Sequence, residues 1–123
     1  MPKKILIIDD EEDMRIYLET VFRKAGYATE TAVNGDDALA RLTEIDPDLI
    51  TLDILMPQKS GLKFFQALRD ELATVNLPVI VVSGVSGHSD FFDPKALGGP
   101  TAFMDKPINP DTLLAGVKAL LGE

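Results

Sequence analysis

The chain contains no cysteine and a single histidine, His88. Without thiols there are no disulfides and no thiolate metal sites, a composition that suits a reducing compartment. With no second imidazole to join it, His88 reads as a loop residue rather than a metal ligand or phosphocarrier. Long hydrophobic runs are missing too. The longest aliphatic stretches, Ile5 to Ile8 and Val79 to Val82, fall far short of the roughly 20 residues of a membrane span. The first of them runs straight into the acidic stretch Asp9 to Asp13 rather than into a cleavage site. These absences predict a soluble, cytoplasmic protein.

Basic charge is scarce: 12 Lys and Arg face 20 Asp and Glu, for a formal net charge of -8. A protein that tracks a nucleic-acid backbone needs a clustered cationic face, so the expected partner is protein and neither nucleic acid nor membrane. An acidic surface also serves solubility alone. At 123 residues with 46% hydrophobic composition, the expected organisation is one domain over residues 1–123, without linker, repeat or separate output domain.

Apolar runs alternate with amphipathic stretches along the whole sequence, the pattern of βα units that build a parallel sheet covered by helices on both faces. Ile5–Ile8, Leu49–Leu52 and Val79–Val82 are too short for helices and too uniformly apolar for half-exposed strands, which predicts central strands. Thr29–Val33 and Ala102–Met104 look like edge strands. Helical spacing links Met14, Tyr17, Leu18, Val21, Phe22 and Ala25, ending at Gly26; a second stripe joins Ala38, Leu39, Leu42 and Ile45 behind the cap candidate Asn34. A third joins Phe64, Phe65, Leu68 and Leu72, and the last runs from Leu113 to Leu121 behind Asn109 and Pro110. Between Ser83 and Gly99 the pattern breaks, because Gly84, Gly87 and Pro94 oppose a long regular helix. A shortened or irregular helix beginning near Asp93 is expected there.

The informative observation is positional. Asp9 and Asp10 follow the first predicted strand, Asp53 ends the third, Ser83 ends the fourth and Lys106 follows the fifth. In a parallel sheet with right-handed crossovers these carboxyl ends share one edge, where open α/β folds bind ligands. Taken singly, each has a plain reading: a solvated acidic turn favouring a helix amino end, a turn aspartate, a turn hydroxyl, a surface lysine. Taken together, converging carboxylates repel one another unless a cation joins them. An all-oxygen set without histidine or cysteine suits Mg²⁺. A lysine and a hydroxyl beside it supply what a transferring phosphoryl group needs, and a carboxylate can be the nucleophile.

The segments Ile7-Ile8-Asp9-Asp10-Glu11, Asp53-Ile54-Leu55-Met56-Pro57 with Gly61 beyond, Val82-Ser83-Gly84 and Asp105-Lys106-Pro107-Ile108 resemble, in order and spacing, the motifs of bacterial two-component response-regulator receiver domains. The likeness is to single-domain, chemotaxis-regulator-like members. That resemblance implies an α/β, flavodoxin-like five-stranded parallel sheet of order 2-1-3-4-5 with helices on both faces. It implies that Asp53 accepts a phosphoryl group from a phosphohistidine on a sensor histidine kinase or histidine phosphotransfer protein. Mg²⁺ would be held by Asp10, Asp53 and the Leu55 main-chain carbonyl, with Asp9 acting through water. Lys106 would pair with the phosphoryl group, Ser83 would move to hydrogen-bond it, Phe103 would change rotamer with the switch, and the Lys106–Pro107 bond would be cis. By the same resemblance the protein is no enzyme beyond assisting its own phosphorylation and dephosphorylation, and acts on a downstream target protein as a monomer or weak dimer. Two alternatives stand beside it: a phosphorylation-independent scaffold, and an aspartate-nucleophile phosphatase. The phosphatase would need a second acid where this chain has Leu55.

Overall fold

A computed structural model of the chain describes residues 2–53, 60–83 and 99–123, apart from the side chains of residues 60–62 and 83. The elements run β1 (Lys4–Ile8), α1 (Glu12–Lys24), β2 (Ala28–Ala32), α2 (Gly35–Ile45), β3 (Leu49–Asp53), α3 (Ser60–Asp70), β4 (Val79–Ser83), β5 (Thr101–Asp105) and, here labelled α4, Pro110–Leu121. The five strands form one parallel sheet in the order β2-β1-β3-β4-β5. Five strands, that order and four described helices make the flavodoxin-like α/β architecture expected from the sequence. The expected short helix near Asp93, together with Pro94, His88 and the Leu55 carbonyl, lies outside the described residues.

Strand alternation divides the core in two. Leu6, Ile8, Ile50, Leu52, Val79 and Val81 face α2 and α3, where Phe64, Phe65 and Leu68 pack on them. Ile5, Ile7, Leu49, Ile80 and Val82 face the other way, against Leu18 and Phe22 of α1 and Leu113 and Val117 of α4. Because β1, β3 and β4 are apolar on both faces, they occupy the sheet interior, and the more polar β2 and the brief β5 take its edges. Asn34 and Asn109 act as helix caps: the Asn34 side chain accepts from the Asp37 N–H, and that of Asn109 from the Asp111 and Thr112 N–H groups. Gly26 follows α1 at φ 97°, the left-handed turn that ends the helix.

Four side chains depart from the expected stripes: Tyr17 and Ala25 at the α1 stripe are exposed, and so are Leu39 and Leu72. Leu72 lies beyond the end of α3 and is 94% exposed, and Leu39, on α2, is 37% exposed. The helical repeat in the sequence continues past Asp70, whereas the backbone leaves the helix there and turns toward β4.

One buried polar atom is left over. The Thr51 hydroxyl, on β3 between Ile7 and Ile80, is buried without a hydrogen-bond partner among the described residues. Thr51→Val removes that hydroxyl at nearly constant shape, and is expected to raise stability by about 1 kcal/mol in urea denaturation. A loss of stability would show that the hydroxyl is satisfied after all.

Candidate functional site

Sheet register alone brings two carboxylates together. Ile8 pairs with Leu52 across β1 and β3, so Asp9 and Asp53, one residue further along each strand, stand side by side on the same face. Both are nearly sealed from solvent, at 2% and 3% exposure. Asp9 is fixed by its own loop. Its Oδ1 accepts the Glu11 N–H at 2.9 Å, its N–H donates to Ala32 O at 3.2 Å, and its carbonyl accepts from Arg15 at 2.8 Å. The next residues, Glu12 and Asp13, occupy the first turn of α1, where the helix dipole favours negative charge. The plain reading of the acidic run therefore holds for its second half, while its first half turns into the sheet edge.

Lys106 reaches this pair from the far side of the sheet. Ser83 pairs with Asp105 at the ends of β4 and β5, and the next residue sends its ammonium over the carboxylates. Lys106 Nζ lies 3.4 Å from Asp53 Oδ2, 3.7 Å from Asp9 Oδ2 and 3.7 Å from Glu11 Oε1. The following Lys106–Pro107 bond is cis, as the resemblance implied. Tyr17 of α1 ties down the same loop by donating its hydroxyl to Ile108 O at 3.1 Å.

The electrostatics follow from burial. Desolvation pushes the Asp9 carboxyl up to about 6; Asp53 and Asp10 push the same way, while the Glu11 N–H and Lys106 pull it back. For Lys106, burial disfavours the charged form, but Asp53, Asp9 and Glu11 outweigh it and leave the ammonium above its usual range. Among the described residues, Lys106 serves three carboxylates, and the acidic groups there outnumber it.

Oxygen atoms of Asp9, Asp10, Glu11 and Asp53 all lie within 4.8 Å of one another. Two of these residues are buried and two exposed, so a cation has both a charged floor and access from solvent. The donors are all carboxylate oxygens, the chemistry of a hard divalent ion rather than a soft transition metal. Asp9, Asp10, Asp53 and Lys106 are therefore brought together as the sequence positions suggested. The Ser83 backbone ends β4 at the same edge. Phe103 is half-buried on β5, packed against the core that faces α2 and α3, and with Pro107, Ile108 and Thr112 it lines a cleft of about 330 Å³. Glu11 was legible only as part of an acidic run. Its approach to Lys106 depends on how the β1–α1 loop folds back over the sheet.

This arrangement matches known proteins along nearly its whole length. Residues 5–118 match the response regulator receiver domain. The chain is similar to Protein Rrf1 of Nitratidesulfovibrio vulgaris, with 34% identity over 98% of this chain and 84% of that protein. It is also similar to the polar-differentiation response regulator DivK of Brucella anthropi, with 33% identity over 100% of this chain and 99% of that protein. Among solved structures, chemotaxis protein CheY4 of Vibrio cholerae superposes with a TM-score of 0.87 at 29% identity, covering 98% of this chain and 99% of that one. A putative response regulator from Chloroflexus aurantiacus superposes at 0.89 with 28% identity, covering 100% of both chains. No described helix is long and apolar enough to cross a membrane. With the family's sheet order, its acidic strand ends and a match over residues 5–118, the chain belongs to the response regulator receiver domains of two-component systems.

Proposed function

We propose that Asp53 accepts a phosphoryl group from a phosphohistidine on a sensor histidine kinase or phosphotransfer protein, and that the new charge switches a surface read by a downstream protein. The observation that carries this reading is Asp53 itself: a carboxylate 3% exposed, 3.4 Å from a lysine ammonium, inside a group of carboxylates open to solvent on one side. A purely structural ion pair has no need of the additional acids.

In the transfer, a carboxylate oxygen of Asp53 forms a bond to phosphorus as the bond from phosphorus to the imidazole nitrogen breaks. The imidazole leaves with that electron pair and stays on the donor protein. Asp10 and Asp53 would hold Mg²⁺ directly and Asp9 through water, with the main-chain carbonyl of Leu55, outside the described residues, as a further ligand. When bound, Mg²⁺ neutralises charge on the phosphoryl oxygens during transfer. Lys106 gives up its contact with Asp53 Oδ2 and pairs with a phosphoryl oxygen, Ser83 donates its hydroxyl to another, and Phe103 repacks in answer. The phosphoryl group adds roughly -1.5 to -2 charge to a sheet edge that is already acidic, which is the energy available to move a two-state element. Beyond assisting its own phosphorylation and dephosphorylation the protein performs no catalysis, and its effect in the cytoplasm is delivered by protein contact.

Intact mass after incubation with acetyl phosphate is the test. The parent chain is expected to gain one phosphoryl group with Mg²⁺ and none with chelator, and Asp53→Asn to gain none in either. Equal labelling of Asp53→Asn would place the acceptor elsewhere. No labelling of the parent would favour the phosphorylation-independent scaffold.

A further inference from the structure

At the sheet edge opposite Asp53, where β3 and β4 begin, α2 and the α3–β4 loop enclose an open pocket of about 200 Å³. Leu42, Thr43, Pro47, Ala73, Thr74 and Leu77 line it. Its floor is continuous with the core, since Leu42 and Leu77 pack against the buried cluster beneath. Leu72, next in the chain to the lining residue Ala73, is 94% exposed. A leucine held in water next to an open apolar pocket contributes nothing to the fold.

The segments that form the pocket are acidic, and Asp46 lines it directly. Glu44 and Asp46 stand at the carboxyl end of α2, Asp70 and Glu71 at that of α3, and all four are exposed. None is ion-paired among the described residues. Of the cations on neighbouring elements, Lys4 donates to Ile45 O at the end of α2 without pairing with Asp46, Arg41 pairs with Asp37, and Arg69 is buried among backbone carbonyls. Carboxylates at helix carboxyl ends oppose the helix dipole, so their placement costs the fold a little rather than helping it.

The geometry points to this pocket as the docking site of a basic amphipathic segment of a partner protein, with an apolar side chain seated between Leu42 and Leu77 and lysine or arginine on its flanks facing the four carboxylates. The occupant is not a second copy of this chain. Leu72 and the pocket are adjacent, as a symmetric contact would need, but such pairing would bring the same unpaired carboxylates face to face. The surface is remote from the acidic site, at the other end of the strands, so it supplies a constitutive hold on a partner, separate from any surface that phosphorylation switches.

The probe is a synthetic amphipathic helix of leucine and lysine, titrated into the ¹⁵N-labelled full chain, with a counterpart carrying glutamate for lysine. Amide shifts are expected to concentrate at Thr43, Asp46, Ala73 and Thr74, to weaken with salt, and to be absent with the glutamate counterpart. Leu72→Ser and the double variant Glu44→Lys, Glu71→Lys alter only exposed side chains, and each is expected to weaken binding at least about threefold. Shifts confined to Asp9–Glu11 or spread over the whole acidic surface would overturn the assignment. So would unchanged affinity in both variants, binding of the glutamate counterpart, or no shifts at all. Shifts at these residues on concentrating the chain alone would give the pocket to a second copy instead. The readout is binding, so it stands whether or not Asp53 is phosphorylated.

Discussion

Arg69→Ala is expected to lower the stability of the protein by about 3 kcal/mol, with a fall in Tm of roughly 10 °C. Arg69 is 9% exposed, and its guanidinium is solvated by backbone carbonyls. One nitrogen donates to Leu77 O at 2.7 Å and Val75 O at 3.1 Å, and the other to Pro100 O at 3.0 Å and Thr101 Oγ1 at 3.1 Å. The group also lies 5.0 Å from the centre of the Phe65 ring. It therefore joins the end of α3, the turn before β4 and the start of β5. Gly99 stands so close that a Cβ there would collide with Arg69 Nε, and its φ of +73° also favours glycine. Burial lowers the Arg69 pKa, a desolvation cost that the variant recovers. It leaves several buried carbonyls without donors and opens a cavity beside Phe65, and these losses outweigh the gain. Arg69→Lys is expected to restore under half of the difference, since one ammonium cannot span acceptors that a planar fork reaches on two sides. Urea denaturation of the three proteins decides it. A loss below about 1 kcal/mol for Arg69→Ala would mean that water replaces the guanidinium freely.

Arg69 also marks where sequence reading stops. A single arginine in the last turn of a helix has a sufficient local reason to be there, its charge matching the helix dipole, and nothing in its neighbours announces that carbonyls from two separate connections will wrap around it. The strands were legible because each central one is a short run apolar on both faces, and that property alone decides which strands are interior. Asn34 and Asn109 were legible because capping is local chemistry. Leu72 was misplaced for the opposite reason: spacing counts residues, and it keeps counting after the backbone has left the helix. At the site, Asp9, Asp10, Asp53 and Lys106 could be assembled from strand order, because residues at the carboxyl ends of adjacent parallel strands must be neighbours. The share of Lys106 held by Glu11 could not, because it depends on the path of a loop and not on register.

The metal-free protein is expected to lose stability as pH rises through the titration of Asp9, and Asp9→Asn to abolish that loss. In the fold the Asp9 carboxyl is pushed from 3.8 to about 6, so between these values the folded state binds more protons than the unfolded state. Stability then falls with rising pH. The full contribution is present below the unfolded pKa of 3.8 and is lost as pH passes the folded value of about 6. The shift corresponds to a loss of about 3 kcal/mol from about pH 4 to pH 7. The raised pKa of Lys106 acts in the alkaline range and leaves this window untouched. In Asp9→Asn the amide oxygen can still accept the Glu11 N–H now held at 2.9 Å, while the charge beside Asp53 is gone. The variant forfeits a contact with Lys106 at 3.7 Å, so its advantage at pH 7 is expected to be about 2 kcal/mol, shrinking to nothing near pH 4. Denaturation of both proteins across that range in chelator measures the gap, and parallel curves would show that Asp9 does not titrate in the window. Repeating the series with saturating Mg²⁺ gives the sign a second check. A dication among these carboxylates draws the Asp9 pKa down and stabilises the parent by mass action, so the gap is expected to close or reverse. The instability of the empty site and its affinity for a cation are then one quantity, the repulsion of carboxylates held together by the sheet.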